Sequence, residues 1–296
     1  MRISNFLQLV EVCSDPAKFL RFVISYGLIR RCHRCRKRCC RRQMTVIHDA
    51  SRPEKYAFRC PKCHSSISVR KGSLFESSHL SISEILYLTF CWSAKIPVTG
   101  AVTICNISMS SVSYWYQYLR GVCSGALLGC ADSSLGGVGA VVQVYASVVS
   151  KRKYCGEVAV DQQWAFVLYD TTKKVGHIQL VEDQRAETLL PIIQSHVKLE
   201  STIVSDQSAA YQGLLELGYQ HVVVAGSACF VDPIMGATIN PVKAYWSRAK
   251  RSIHLHWLSR RDQLPLRLNE FLWRDRLPSN KYPDVFHEML GLMTAK

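Results

Sequence analysis

S-D-Q-S-A-A-Y at residues 205–211 and F-V-D-P-I-M-G-A-T-I-N-P-V-K-A-Y-W-S-R-A-K-R at residues 230–251 decide how the C-terminal half reads. Asp206 closes an apolar run at 202–204 and stands where a strand would end and a helix from Ala209 would begin. The carboxyl end of a strand is a usual place for a ligand-binding group, so Asp206 is a candidate metal ligand. From Asn240 onward, Val242, Tyr245, Trp246 and Ala249 recur at helical spacing, and Lys250 and Arg251 follow. One turn into that helix, where a second acid would face Asp206, the chain has Lys243.

Working outward, residues 140–146, 164–169, 177–181, 202–204 and 221–224 read as strands. Residues 186–196 and 209–217 read as helices, and a third begins at Asn240. Three strands followed by alternating helix and strand predict an α/β domain with a mixed sheet. Asp232 before a proline fits a turn, and Glu182, Asp183 and Glu187 suit a strand end and the first turn of a helix.

The charge is polarised. Of 37 Lys and Arg and 22 Asp and Glu in the 296-residue chain, residues 1–80 hold 17 basic against 5 acidic. Most of the net +15 therefore sits in the first third, which predicts a polyanionic partner, double-stranded DNA above all. No run of 18 uncharged apolar residues appears, so no membrane span is expected. Glu11 in a weakly apolar N-terminus argues against a secretory signal. Thirteen cysteines without such a signal point to metal ligands and buried thiols in a reducing compartment, nuclear or cytoplasmic.

Cys32-His33-Arg34-Cys35 and Cys60-Pro61-Lys62-Cys63 form two C-x-x-C knuckles. Four thiolates so arranged can close a tetrahedron around structural zinc. Short strands at 44–48 and 55–59 between them complete a zinc-ribbon pattern. Cys39 and Cys40 offer alternative ligands, but Cys32 and Cys35 match the spacing of the second knuckle. His33 and His64 read as neighbours of the ligands. Arg34, Arg36, Lys37 and Arg38 crowd the first knuckle as candidate phosphate contacts.

Residues 81–94 carry apolar groups at helical spacing, with Ser81 or Ser83 placed to cap the start. Further helices are expected at 98–105 and 110–120, with a turn at 106–109. The pattern suggests a helix-turn-helix whose last helix would meet DNA through Ser110, Ser111, Ser113 and Tyr114, with Tyr118 and Arg120 nearer the backbone. A packed helical linker has the same periodicity.

Several blocks, taken in order, resemble transposases of the Merlin superfamily of eukaryotic DNA transposons and their bacterial ISXO-type insertion-sequence relatives. They are L-G-G-V-G-A-V-V-Q-V from Leu135, K-R-K-Y from Lys151, Q-W-A-F from Gln163, A-E-T-L-L-P-I-I from Ala186, S-D from Ser205, F-V-D-P from Phe230 and N-x-x-x-x-x-W from Asn240. The resemblance implies an RNase H-like domain in which acids on the first strand, after the fourth strand and on the last helix hold two divalent metals, magnesium or manganese. Such metals activate a hydroxyl nucleophile and stabilise the leaving oxygen of a phosphodiester. Family spacing puts the first acid at Tyr145 and the third at Lys243, leaving Asp206 as the surviving acid. A phenol, with a pKa near ~10, is a poor magnesium ligand. Asp161 is an alternative first-strand acid, and Asn240 can offer a carbonyl oxygen. Lys250 matches a basic family position that could touch phosphate.

These readings give an α+β multidomain chain. A helical lead-in spans 1–28, a zinc ribbon 29–78, a helix-turn-helix-like segment 79–132 and an RNase H-like domain 135–290. The expected function is that of a transposon-derived DNA-binding protein with a degraded metal site, able to form homo-oligomers as transposases commonly do. The alternatives are an active transposase using Asp206 with Asn240 or Asp161, and a non-enzymatic scaffold or decayed element copy.

Overall fold

The computed structural model describes residues 2–37, 40–129, 134–150, 153–155, 158–160, 163–224, 238–254, 261–279 and 281–294. The chain divides into two units, one of Met1–Val122 with Leu277–Lys296 and one of Cys123–Arg276.

The first unit opens with α1 (Phe6–Ser14) and α2 (Pro16–Ser25). Asn5 and Asp15 cap them by accepting backbone N–H groups of the first turn. Next come β1 (His33–Arg34), β2 (Gln43–His48), β3 (Tyr56–Arg59) and β4 (Ser66–Ser68), paired antiparallel in chain order. The buried side chains of this sheet are few, chiefly Met44, Ala57 and Phe58. So thin a core needs help to stay folded. Buried Glu54 ties the sheet to the next helix: it accepts from Arg70 Nε at 2.9 Å and from the Ile82 backbone N–H at 3.1 Å.

Ile82 starts α3 (Ile82–Ser93), which Ser81 and Glu84 close with a reciprocal capping box. Pro97 precedes α4 (Val98–Cys105). Asn106, in the left-handed region at φ 53°, ends it. The Ser108 hydroxyl accepts from Ser111 N as α5 (Met109–Gly129) begins. This helix runs well past the expected end at 120.

The second unit contains β5 (Leu135–Gly136), β6 (Val141–Ser150), β7 (Lys153–Cys155), β8 (Val158–Val160), β9 (Gln163–Asp170), β10 (Val175–Val181), α6 (Ala186–His196), β11 (Val197–Lys198), β12 (Thr202–Ser205), β13 (Gln220–Val223), α7 (Asn240–His254) and α8 (Leu264–Arg276). Its five-stranded sheet has the order β10-β9-β6-β12-β13. β6, β9 and β10 are antiparallel neighbours, while β12 runs parallel to β6 and β13 parallel to β12. This is the RNase H-like arrangement. The β7–β8 hairpin was not expected. The helix expected at 209–217 is a 3-10 segment, Ala209–Leu214, with Gly213 inside it and Gly218 at positive φ just beyond.

Because side chains alternate across a strand, the sheet carries two cores. Ala165, Val167 and Val204 face Val242, Tyr245, Trp246 and Leu268 of α7 and α8. Val142, Val144, Phe166 and Ile203 face Leu189, Ile193 and Tyr211. The chain ends with α9 (Tyr282–Leu292) in the first unit, where Phe286 meets Phe90 of α3 at 5.4 Å between ring centroids. The sequence expectation had carried the C-terminal domain to 290; the aromatic face of α9 finds its partner on α3 instead.

Tyr245 seats α7 on the sheet directly over Gly176 of β10. A Cβ there would fall 2.5 Å from the tyrosine ring. Gly176→Ala should therefore destabilise the domain by about 1–3 kcal/mol, seen as a lower Tm, and Tyr245→Leu in the same chain should return part of the loss.

Candidate functional site

The centre of the second unit is organised by Gln143, a buried amide on β6. Its Nε2 donates to the Thr238 carbonyl at 2.5 Å and its Oε1 accepts from Val242 N at 2.9 Å, in the first turn of α7. Both halves of the amide are used on the approach to one helix. The orphan N–H groups that a helix start presents are thereby partly satisfied from the sheet.

Two residues along β6 on the same face stands Tyr145, half-buried against the α7 side. One residue past Val242 stands Lys243, whose Nζ lies over the Tyr145 ring, 5.6 Å from its centroid. The two positions expected to carry the first and third acids are thus in contact as cation and aromatic face, an interaction of about 0.5–2 kcal/mol depending on desolvation. Asp206 follows β12, which lies beside β6; it is half-buried, and its Oδ1 accepts from Ser208 N at 3.2 Å. Behind it, the buried Ser205 hydroxyl donates to the Asp206 carbonyl at 2.8 Å and sits 2.8 Å from His221 Nε2. Asn240 is exposed, with its backbone N–H on Thr238 Oγ1 at 3.1 Å. Asp161 and Asp232 lie outside the described residues.

Among the described residues, Asp206, Asn240, Tyr145 and Lys243 offer one carboxylate, one amide, one phenol and one ammonium at the expected positions. Hard divalent ions favour carboxylate, carbonyl and water oxygens over a phenol, and the ammonium repels the ion that an acid would have attracted. Among the described residues, the one grouping of three or more acids, histidines and cysteines close enough to share a metal lies in the first unit.

That grouping is Cys35, Cys40, Cys60 and Cys63, whose sulfurs all lie within 4.8 Å of one another. Cys35 and Cys63 are 3.4 Å apart and Cys40 and Cys60 3.3 Å. Zinc–sulfur bonds of about 2.3 Å in a tetrahedron require sulfurs roughly 3.8 Å apart, so the set fits zinc. The expected ligand Cys32 is replaced by Cys40, and the reason is topological. Cys32 precedes β1 and is exposed, whereas Cys35 and Cys40 both lie on the β1–β2 turn, opposite Cys60 and Cys63 on the β3–β4 turn. Cys40 N donates to Lys37 O at 2.9 Å, and Arg41 turns the chain at φ 42°. The second turn is matched by Cys60 N to Ser65 O at 2.9 Å, with His64 at φ 56°. Hydrogen bonds from the Ser65 hydroxyl and backbone bring the Cys63 thiol down to about 6, toward the thiolate that zinc needs. His33 is not a ligand here: its Nε2 is 2.9 Å from Lys71 O, and its ring packs on Phe58.

Arg34, Arg36 and Lys37 are exposed beside this centre, and Arg38 lies outside the described residues. Arg41 and Arg42, which the sequence reading passed over, are exposed on the same turn. Ser110, Ser111 and Tyr114 line a cavity of about 400 Å³ together with Ser78, His79 and Tyr118. Tyr114 is 64% exposed. Arg120 departs from expectation. It is 8% exposed and engaged within the protein, because it follows Val112 and Tyr116 on the buried face of α5. Lys250 folds over Trp246, with Nζ 5.6 Å from the ring centroid.

Residues 144–275 match the family model of the ISXO2-like transposase domain, which covers the strand carrying Tyr145 through α8. Among solved structures, the chain is similar to the HTLV-2 integrase catalytic core domain in complex with magnesium, at 16% identity over 47% of this chain and 85% of that one, with a TM-score of 0.33. It is also similar to the simian T-cell lymphotropic virus intasome in complex with PP2A regulatory subunit B56 gamma, at 14% identity, 61% and 66% coverage and a TM-score of 0.31. A third likeness is to the pre-cleavage Mos1 transpososome, at 9% identity, 71% and 78% coverage and a TM-score of 0.22. No curated protein matches the chain.

Two outcomes are expected at these sites. Purified protein should carry one zinc per chain by elemental analysis; Cys40→Ser should lose it, and Cys32→Ser should keep it. In a double-mutant cycle of Tyr145→Leu and Lys243→Met, chemical denaturation should show a coupling of about 0.5–2 kcal/mol, whereas strict additivity would mean that the ring and the ammonium do not interact.

Proposed function

We propose that this chain is a transposase-like DNA-binding protein of Merlin or ISXO-type descent whose two-metal strand-transfer chemistry has been lost. The observation that carries the reading is the Lys243 ammonium seated on the Tyr145 ring, at the positions where the resembled family holds acids. Among the described residues, Asp206 is the one acid at the three expected positions, so no pair of carboxylates there bridges two magnesium ions. The match of residues 144–275 to a transposase domain supports descent from an enzyme that acted on DNA.

In this reading the four-cysteine zinc centre folds the ribbon, and Arg34, Arg36, Lys37, Arg41 and Arg42 beside it meet phosphates. The start of α5 with Ser110, Ser111 and Tyr114 meets the duplex as the second element of a helix-turn-helix. Zinc here is structural: it holds four thiolates together and takes no part in phosphodiester chemistry. The protein works where DNA is, in the nucleus, and assembles with copies of itself.

The test is binding of the zinc-loaded protein to a random duplex pool with magnesium omitted. Retention of DNA without divalent metal is expected, with affinity falling about a hundredfold or more between roughly 50 and 200 mM salt. Nicking should be absent when magnesium or manganese is added. Divalent-dependent nicking that disappears in Asp206→Ala would refute the loss of chemistry, and salt-insensitive or absent binding would refute the DNA partner.

A further inference from the structure

Cys91 and Cys105 lie outside the zinc set, with their sulfurs 3.8 Å apart across the α3–α4 pair. Cys91 is fully buried in the last turns of α3. Cys105 ends α4 and is half-buried, with a path to solvent. The two thiols are therefore unequal in access as well as in position.

They are unequal in acidity too. The Cys91 thiol, pointing at Cys105, holds the Cys105 thiol below its ordinary value, against opposing effects of burial and of Glu84. The same contact, together with burial, drives Cys91 upward. Thiolate character and access decide which sulfur reacts first, and both favour Cys105.

We infer that Cys91 and Cys105 form a reversible dithiol–disulfide site whose co-reactant is a low-molecular-weight disulfide such as oxidised glutathione. Cys105 sulfur attacks the disulfide, forming a mixed disulfide and releasing one glutathione thiolate, which takes up a proton. Cys91 then gives up its proton and attacks Cys105 sulfur, expelling the second glutathione as a thiol. Two protein thiols are oxidised and one disulfide is reduced to two thiols. Bond formation needs the sulfurs to close by roughly 1.8 Å, to the disulfide length of about 2.05 Å.

The bridge would staple the end of α4 to the end of α3, closing a loop across a separation of 14 residues. That end of α4 is also where Asn106 turns the chain into α5, whose first turns line the cavity. The α3–α4 connection is already tethered from α5, since Tyr116 hydroxyl donates to Ile96 O at 3.0 Å. Oxidation would therefore stiffen the turn that presents Ser110, Ser111 and Tyr114. The inference stands on the thiol geometry and does not depend on the proposed function.

The test treats full-length, zinc-loaded protein with oxidised glutathione, caps free thiols by alkylation and maps peptides by mass spectrometry. A Cys91–Cys105 linkage is expected, two hydrogens lighter than the free thiols and reversed by dithiothreitol. Bound zinc should stay constant throughout, and Tm should rise by about 5 °C or more. Cys91→Ser should stop at glutathione attached to Cys105, and Cys105→Ser should leave Cys91 unmodified. Failure of the linkage to form, its appearance on Cys13 or Cys123 instead, or no trapped adduct in Cys91→Ser would overturn the assignment.

Discussion

The double hydrogen bond from Gln143 to the start of α7 sets the geometry of the transposase-like domain. β6 is paired on both sides, by β9 and β12, which fixes its register in the sheet. Gln143 transfers that register to α7 by gripping Thr238 O and Val242 N together. A one-residue slip would break both bonds in a buried setting, where an unsatisfied amide costs about 1–3 kcal/mol per group. Once Val242 is placed, Lys243 must lie near the β6 face that carries Tyr145. Tyr245 must meet Gly176, and Trp246 must enter the core.

Under the proposed function, this constraint explains how two losses of acid coexist with an intact frame. In an acid-lined site, metals offset the repulsion between facing carboxylates, and removing one acid leaves the others unbalanced. Here one position is uncharged and the other is cationic, and they attract one another. The strand and the helix are joined at these positions by their own side chains.

Much of this was legible in the sequence, and what was missed has local causes. α6 and α4 occupy their expected spans because their apolar spacing is regular and their ends are marked, by a strand after one and by Asn106 after the other. C-x-x-C spacing singled out Cys35, Cys60 and Cys63, which cluster, together with Cys32, whose place in the cluster Cys40 takes. Spacing along the chain does not say which cysteines share a turn, and β1 intervenes between Cys32 and Cys35. Arg120 was read by its charge, although its place four residues after Tyr116 puts it on the buried face of α5. That Tyr145 and Lys243 lie close together was implied by the family resemblance, but their pairing as ring and ammonium was not read from the sequence. The pairing joins residues nearly a hundred positions apart, and what aligns them is a buried amide with no signature of its own.

Under the proposed function, the exchange of acids also reverses what the site asks of a nucleic acid. Three facing carboxylates repel a phosphodiester until divalent ions intervene, so in an active transposase metal and DNA bind together. Replacing one acid by tyrosine removes a negative charge, and replacing another by lysine turns one positive. At separations of a few ångströms, each such change is worth on the order of 1–4 kcal/mol toward an approaching phosphate, depending on how far water screens it. α7 contains no acid and carries Lys243, Arg248, Lys250 and Arg251, so its charge is wholly positive. Under the proposed function, loss of catalysis and retention of DNA binding are therefore two effects of the same pair of substitutions, with the zinc-held ribbon supplying most of the net positive charge from the other end of the chain.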